Sequence, residues 1–153
     1  MNRYDFYISA PLFNEMELKF NERIAIFLEK LGFSTYLPQR DGGEDEMLLK
    51  DPELWPEISK KVFKRDVDAL KTSSALIMIM DGRVPDEGAC VELGMGYAFG
   101  KICIGFQTDT RRFATGQNNL MLDYSLSYSI VHDWESLEKL LVKIKDKIKK
   151  GNQ

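Results

Sequence analysis

Soft metal ligands are scarce here: 153 residues contain two cysteines and one histidine. Cys90 and Cys103 lack C-x-x-C spacing and each lies in an apolar segment, so no disulfide framework is expected and both read as buried free thiols. His132 sits at a strand end without a second histidine or a cysteine cluster, so no metal site is expected. A basic excess is missing too. Lysine and arginine total 21 against 24 acidic residues, a formal charge of −3, which argues against nucleic acid as a partner. No apolar run approaches the roughly 18–20 residues of a membrane span. The start MNRYDFYISA has no apolar core followed by a small-residue cleavage site, so a cytoplasmic protein with no membrane partner is expected. Internal repeats, low-complexity tracts and linkers are also absent, which leaves residues 1–153 as one domain.

What is present alternates. Strand-like runs rich in β-branched and aromatic residues occur at 4–9, 33–37, 75–80, 102–106 and 127–131. Helical patterns fill the gaps. The first opens at NEME, where Asn14 caps and Glu17 closes a capping box, and stops at Gly32. The second starts near Pro56 and ends around Lys71; the third lies within VPDEGACVELGMGYAFGK (84–101). The last carries Leu137, Leu140, Leu141, Ile144 and Ile148 at helical spacing, with a solvated lysine face. Five strands alternating with helices predict an α/β fold with an open, doubly wound parallel sheet. Ligands in such sheets sit beyond the carboxyl ends of the strands, which points to loops 9–14, 38–55, 81–88 and 107–123.

Carboxylates stand in unexpected places. Between Gly88 and Gly100 the one charged side chain is Glu92, in a helix whose apolar character on all sides predicts burial. A carboxylate there is either paired for structure or placed for chemistry. Asp66 falls among Val62, Phe63, Ala69 and Leu70, whereas Asp68 faces out with Lys61, Lys64 and Lys71. Asp86 precedes the third helix as an N-cap, a duty that does not exclude catalysis. These three acids can converge on one pocket, where repulsion would leave at least one protonated near neutrality, as cleavage of a glycosidic bond requires. Tyr7 ends the first strand as either a half-buried strand tyrosine or a group that orients a carboxylate. Gln39 offers an amide to the edge of a heterocycle.

The fragments YISAPLF, LPQRD, RDVDALK, DGRVPDEGACVELGMGYA and NNLM, in this order from Tyr4 to about Met121, resemble the nucleoside 2-deoxyribosyltransferase family. The resemblance implies a flavodoxin-like, five-stranded parallel sheet in a three-layer α/β/α sandwich. It implies an enzyme that exchanges the base of a 2′-deoxynucleoside for another free nucleobase through a covalent deoxyribosyl intermediate. By position it makes Glu92 the nucleophile and Tyr7 its orienting neighbour. Asp66 and Asp86 fall where the nucleobase is held, with Asp86 as proton donor, and Gly88 and Gln39 fall at substrate-contacting positions. Asn119 and Met121 match a segment that reaches into a neighbouring subunit's site, which implies a homo-oligomer. No metal or organic cofactor is implied.

Two inversions, first by Glu92 and then by the second base, give retention overall. An N-glycoside hydrolase acting on nucleosides or their 5′-monophosphates is the nearest rival, although SAPLFN (9–14) is too bulky to cradle a phosphate dianion. Arg40, Arg83, Arg111 and Arg112 remain as sources of positive charge. A non-catalytic flavodoxin-like binding domain is the second rival; Asp81 ends a strand but lacks companion acids near the first strand. Glu87 and the acidic 40–50 loop read as exposed surface.

Overall fold

The computed structural model of the chain describes residues 4–42, 50–109, 111, 117–126 and 130–151. Its strands are β1 (Tyr4–Ser9), β2 (Thr35–Tyr36), β3 (Ser73–Ile79), β4 (Ile102–Phe106) and β5 (Ile130–Val131). They form one parallel sheet in the order β2-β1-β3-β4-β5. The helices are α1 (Glu15–Lys30), α2 (Pro38–Asp41), α3 (Trp55–Lys71), α4 (Glu87–Ala98), α5 (Leu120–Ser125) and α6 (Trp134–Lys150). Central β3 is buried at every position because helices cover both of its faces, which is why SSALIMI reads as a continuous run. Alternation along β1 divides the core. Phe6 and Ile8 pack with Ile24 and Leu28 of α1 and Leu141 of α6. Tyr7 packs on the opposite face with Leu70 of α3 and Leu93 of α4.

Local chemistry sets the helix limits. Asn14 accepts from the Met16 and Glu17 N–H groups, and Gly32 takes φ +85° just past α1. The expected capping box is displaced, since the Glu17 carboxylate accepts from the N–H of Phe13 and not from that of Asn14. Asp133 caps α6 by accepting from the Ser136 N–H. Gly96 lets α4 lie close on the sheet; a Cβ there would meet Leu76 Cδ1 at 3.3 Å and Cys103 Sγ at 3.4 Å.

Several expectations change. β2 and β5 have two residues each where five were predicted, and 127–129 lie outside the described residues. α2 and α5 arise in stretches read as loops, being too short for a helical period to show. The largest difference is at α4. Its composition predicts burial all round, yet Val91 and Tyr97 are 56% and 57% exposed, because the sheet and α3 cover one side of it. Phe63 on α3, expected inward, is 60% exposed beside them. Cys103 is buried, but Cys90 is half-buried. Among the described residues no helix is long and apolar enough to cross a membrane.

Candidate active site

Parallel pairing of β1 with β2 places Tyr7 opposite Tyr36, and the two rings stack at 5.5 Å with 19° between their planes. Each ring carries a hydroxyl to a carboxylate. Tyr7 donates to Glu92 Oε1 at 2.5 Å, and Tyr36 donates to Asp66 Oδ1 at 2.7 Å. Arg65 supports the second pair, with Nε 3.1 Å from the Tyr36 hydroxyl and 3.4 Å from Asp66 Oδ1. The second Glu92 oxygen, Oε2, accepts from Ser9 Oγ at 2.6 Å. Sequence reasoning missed Ser9, although a signal existed: in a strand, residue i+2 shares the face of residue i, so a β1 that presents Tyr7 to Glu92 also presents Ser9.

Tyr7, Asp66, Gly88 and Glu92 line a cavity of about 260 Å³ between α3 and α4, with Leu70 and Met95 among its apolar walls. Among the described residues no cation pairs with Glu92. Burial raises its carboxyl from 4.5 to about 7; the Ser9 and Tyr7 hydroxyls oppose this rise, and the negative charges of Asp66 and Asp86 add to it. Burial and the Glu92 charge push the Tyr7 hydroxyl far above its ordinary range, so it remains a donor. Asp66 is also raised, by burial, against the lowering effect of the Tyr36 hydrogen bond and the Arg65 charge. The site therefore holds two acids that resist ionisation and face one small, mostly apolar space.

The other expected residues lie at varying distances from this centre. Asp86 caps α4, its Oδ2 accepting from the Ala89 N–H at 2.8 Å, and it is not on the cavity wall. Gly88 connects them: a Cβ there would stand 3.1 Å from Asp86 Oδ2, so only glycine leaves the space between that carboxylate and the cavity open. Gln39 is turned elsewhere. Its Nε2 donates to the Leu18 carbonyl and its Oε1 accepts from Asn21, so both ends of the amide are used against α1. Asn119 caps α5 by accepting from the Met121 N–H at 2.9 Å, and both residues are exposed. They border a second cavity, of about 500 Å³, with Arg83, Val84 and Cys90. His132 Nδ1 lies 2.9 Å from the Gln107 carbonyl oxygen, a structural contact. Among the described residues no group of three or more His, Cys, Asp and Glu side chains is placed to hold a metal ion.

The family described as nucleoside 2-deoxyribosyltransferase matches residues 6–141, nearly the whole chain. The chain belongs to the nucleoside 2-deoxyribosyltransferase family. A 2-deoxyribosyltransferase from Bacillus psychrosaccharolyticus is similar at 28% identity and a TM-score of 0.71, over 87% of this chain and 89% of that one. Two structures share the fold at lower identity, each over 90% of this chain and 96% of the other. One is a 2-desoxiribosyltransferase from Leishmania mexicana, at 21% identity and a TM-score of 0.64. The second is a CMP N-glycosidase from Clostridium botulinum, at 18% identity and a TM-score of 0.55. No curated protein matches the chain. Membership in the nucleoside 2-deoxyribosyltransferase family makes this an enzyme of glycosyl transfer that acts on nucleosides and nucleobases. Its parallel sheet, flanked by helices, is the fold of the 2-deoxyribosyltransferase relatives.

Proposed function

We propose that the enzyme exchanges the base of a 2′-deoxynucleoside for a second free base through a deoxyribosyl ester of Glu92, with retention at the anomeric carbon. The observation that carries this reading is a carboxylate with no pairing cation among the described residues, held by two hydroxyls on the wall of a small cavity and faced there by a second acid. Ionised Glu92 attacks C1′ as the bond to the base breaks. The electron pair of that bond leaves with the base, and a proton from the second acid neutralises it. A second base then attacks C1′ from the opposite face and releases the Glu92 carboxylate, returning a proton to its partner.

Asp66 is the better candidate for that partner. The family resemblance gives proton delivery to Asp86, but Asp66 lies on the cavity wall and burial raises its carboxyl above the ordinary carboxylate range. Its Oδ1 takes the Tyr36 hydroxyl, which leaves Oδ2 for the substrate. Asp86 spends Oδ2 on the helix cap and adds negative charge that favours an oxocarbenium-like transition state.

An unphosphorylated substrate is favoured because three of the arginines able to hold a phosphate are engaged, while Arg83 lines the second cavity and not the one at Glu92. Arg40 pairs with Glu29 and Asp41, Arg65 with Asp66, and Arg111 with Asp109. Arg112 lies outside the described residues. The test is to incubate a 2′-deoxynucleoside with and without a second free base and follow both sugar and base. Exchange product is expected only with the second base present; release of free deoxyribose at the same rate in both mixtures would make the enzyme a hydrolase.

We further propose that a second copy of the chain completes the site. Val91 and Tyr97 on α4, with Met121 and Tyr124 on α5, form apolar surface that one chain leaves uncovered. Asn119 and Met121 would then serve the partner's cavity rather than their own. Mixing Glu92→Gln with Asn119→Ala protein, each inactive, is expected to restore about one quarter of wild-type activity once subunits exchange, since half the molecules are mixed and one site in each has both residues. No recovery on mixing would place Asn119 in its own chain's site, and an active Asn119→Ala protein would place it outside the reaction.

A further inference from the structure

Three hydroxyls and two further acids meet around Glu92, and one of these hydroxyls differs from the rest in having two acceptors. Tyr7 and Ser9 approach from β1, Asp66 from α3 with Tyr36 and Arg65 behind it, and Asp86 from the turn before α4. Tyr7 lines the cavity; Ser9, fully buried, does not. Ser9 therefore holds Glu92 from the side turned away from substrate, through Oε2 at 2.6 Å. Its Oγ also lies 3.4 Å from the carbonyl oxygen of Ala89, one turn before Glu92 on α4. A hydroxyl can donate only one hydrogen but can accept as well.

We propose that Ser9 is a positioning residue for Glu92: it donates to Oε2 while Glu92 is a carboxylate, and turns its hydrogen to the Ala89 carbonyl when Oε2 carries a proton. In the ionised state Tyr7 and Ser9 each donate to one oxygen, and the charge stays fixed beside the cavity. When a proton arrives on Oε2, the new O–H donates to Ser9 Oγ and the Ser9 O–H donates to Ala89. Every polar hydrogen stays bonded in both states, without any backbone movement. Tyr7 has no second acceptor among the described residues: its hydroxyl bonds Glu92 Oε1, so it serves as the fixed donor of the pair. The inference rests on Glu92 as nucleophile for its catalytic meaning, but the proton-dependent exchange of partners stands on the geometry.

Ser9→Ala removes one oxygen and little volume, so the fold is expected to survive, and a melting curve checks this. Two readouts follow. Titration of Glu92, by isotope-edited carboxyl spectroscopy against the Glu92→Gln protein, is expected to move upward by about one to two pH units, the effect of deleting one charge-assisted hydrogen bond. In base exchange, kcat/KM is expected to fall about 10- to 100-fold below pH 6 and to come within about 3-fold of wild type by pH 9, where Glu92 is ionised in both proteins. Ser9→Thr, which keeps the hydroxyl, is expected to restore the titration. An unmoved Glu92 titration, or a deficit of equal size at every pH, would overturn the proposal. If wild type exchanges no bases, the proposed function fails, while the titration still decides the role of Ser9.

Discussion

Replacing Glu92 by glutamine is expected to abolish base exchange and, above pH 7, to make the protein more stable. The loss follows from chemistry, because an amide cannot form the ester, and removal of a nucleophile typically costs about ten-thousand-fold or more. The hydrogen bonds survive the change. The new Oε1 accepts from Tyr7, the new Nε2 donates to Ser9 Oγ, and Ser9 donates in turn toward the Ala89 carbonyl, 3.4 Å away. A well-packed, inactive protein is therefore the expected product. Near-wild-type turnover in this variant would remove Glu92 from the mechanism.

The gain in stability has a definite sign. Folding raises the Glu92 carboxyl from 4.5 to about 7. Below pH 4.5 both folded and unfolded forms are protonated, and ionisation contributes nothing. Between there and pH 7 the unfolded chain ionises first, so stability falls as pH rises; above pH 7 the full penalty persists, on the order of 3 kcal/mol. Glutamine has no such penalty. Melting at pH 8 should show Glu92→Gln several degrees above wild type, and melting near pH 4 should show the two together. An equal gain at both pH values would trace the effect to packing instead of ionisation.

The sequence made the architecture readable where period and caps were long enough to register. Asn14, Pro56 and Asp86 mark real helix starts, and Asp66 against Asp68 separates inward from outward by helical spacing. Glu92 was legible for a different reason, being a charge within an apolar helix. Features that depend on two elements meeting were harder to see. The Tyr7–Tyr36 stack requires the β1–β2 register, and the Ser9 bond requires α4 to lie over the end of β1. Gln39 follows a strand, the position expected of a base-contacting residue, yet its amide is bound to α1, a choice made by packing that no spacing encodes. Likewise, hydropathy shows that α4 avoids water but not which of its faces the same chain will cover.

Asp66→Asn is expected to lower kcat/KM by about a hundred- to a thousand-fold for an ordinary nucleobase and to change the shape of the pH profile. Two acids facing one cavity titrate as a pair, and in the proposed mechanism the productive form carries one proton, on Asp66 and not on Glu92. Wild-type kcat/KM should therefore fall on the acid side as the pair takes up a second proton and on the alkaline side as it gives up its last. Asparagine still accepts from Tyr36 at Oδ1, so the stacked tyrosines stay in place while the alkaline fall disappears. A substrate whose base departs without protonation should be almost indifferent to the change. Asp86→Asn is the control, since asparagine caps a helix about as well as aspartate and should preserve both limbs. If the alkaline limb vanishes in Asp86→Asn and persists in Asp66→Asn, the departing base takes its proton from the helix cap, and Asp66 serves only to hold the substrate.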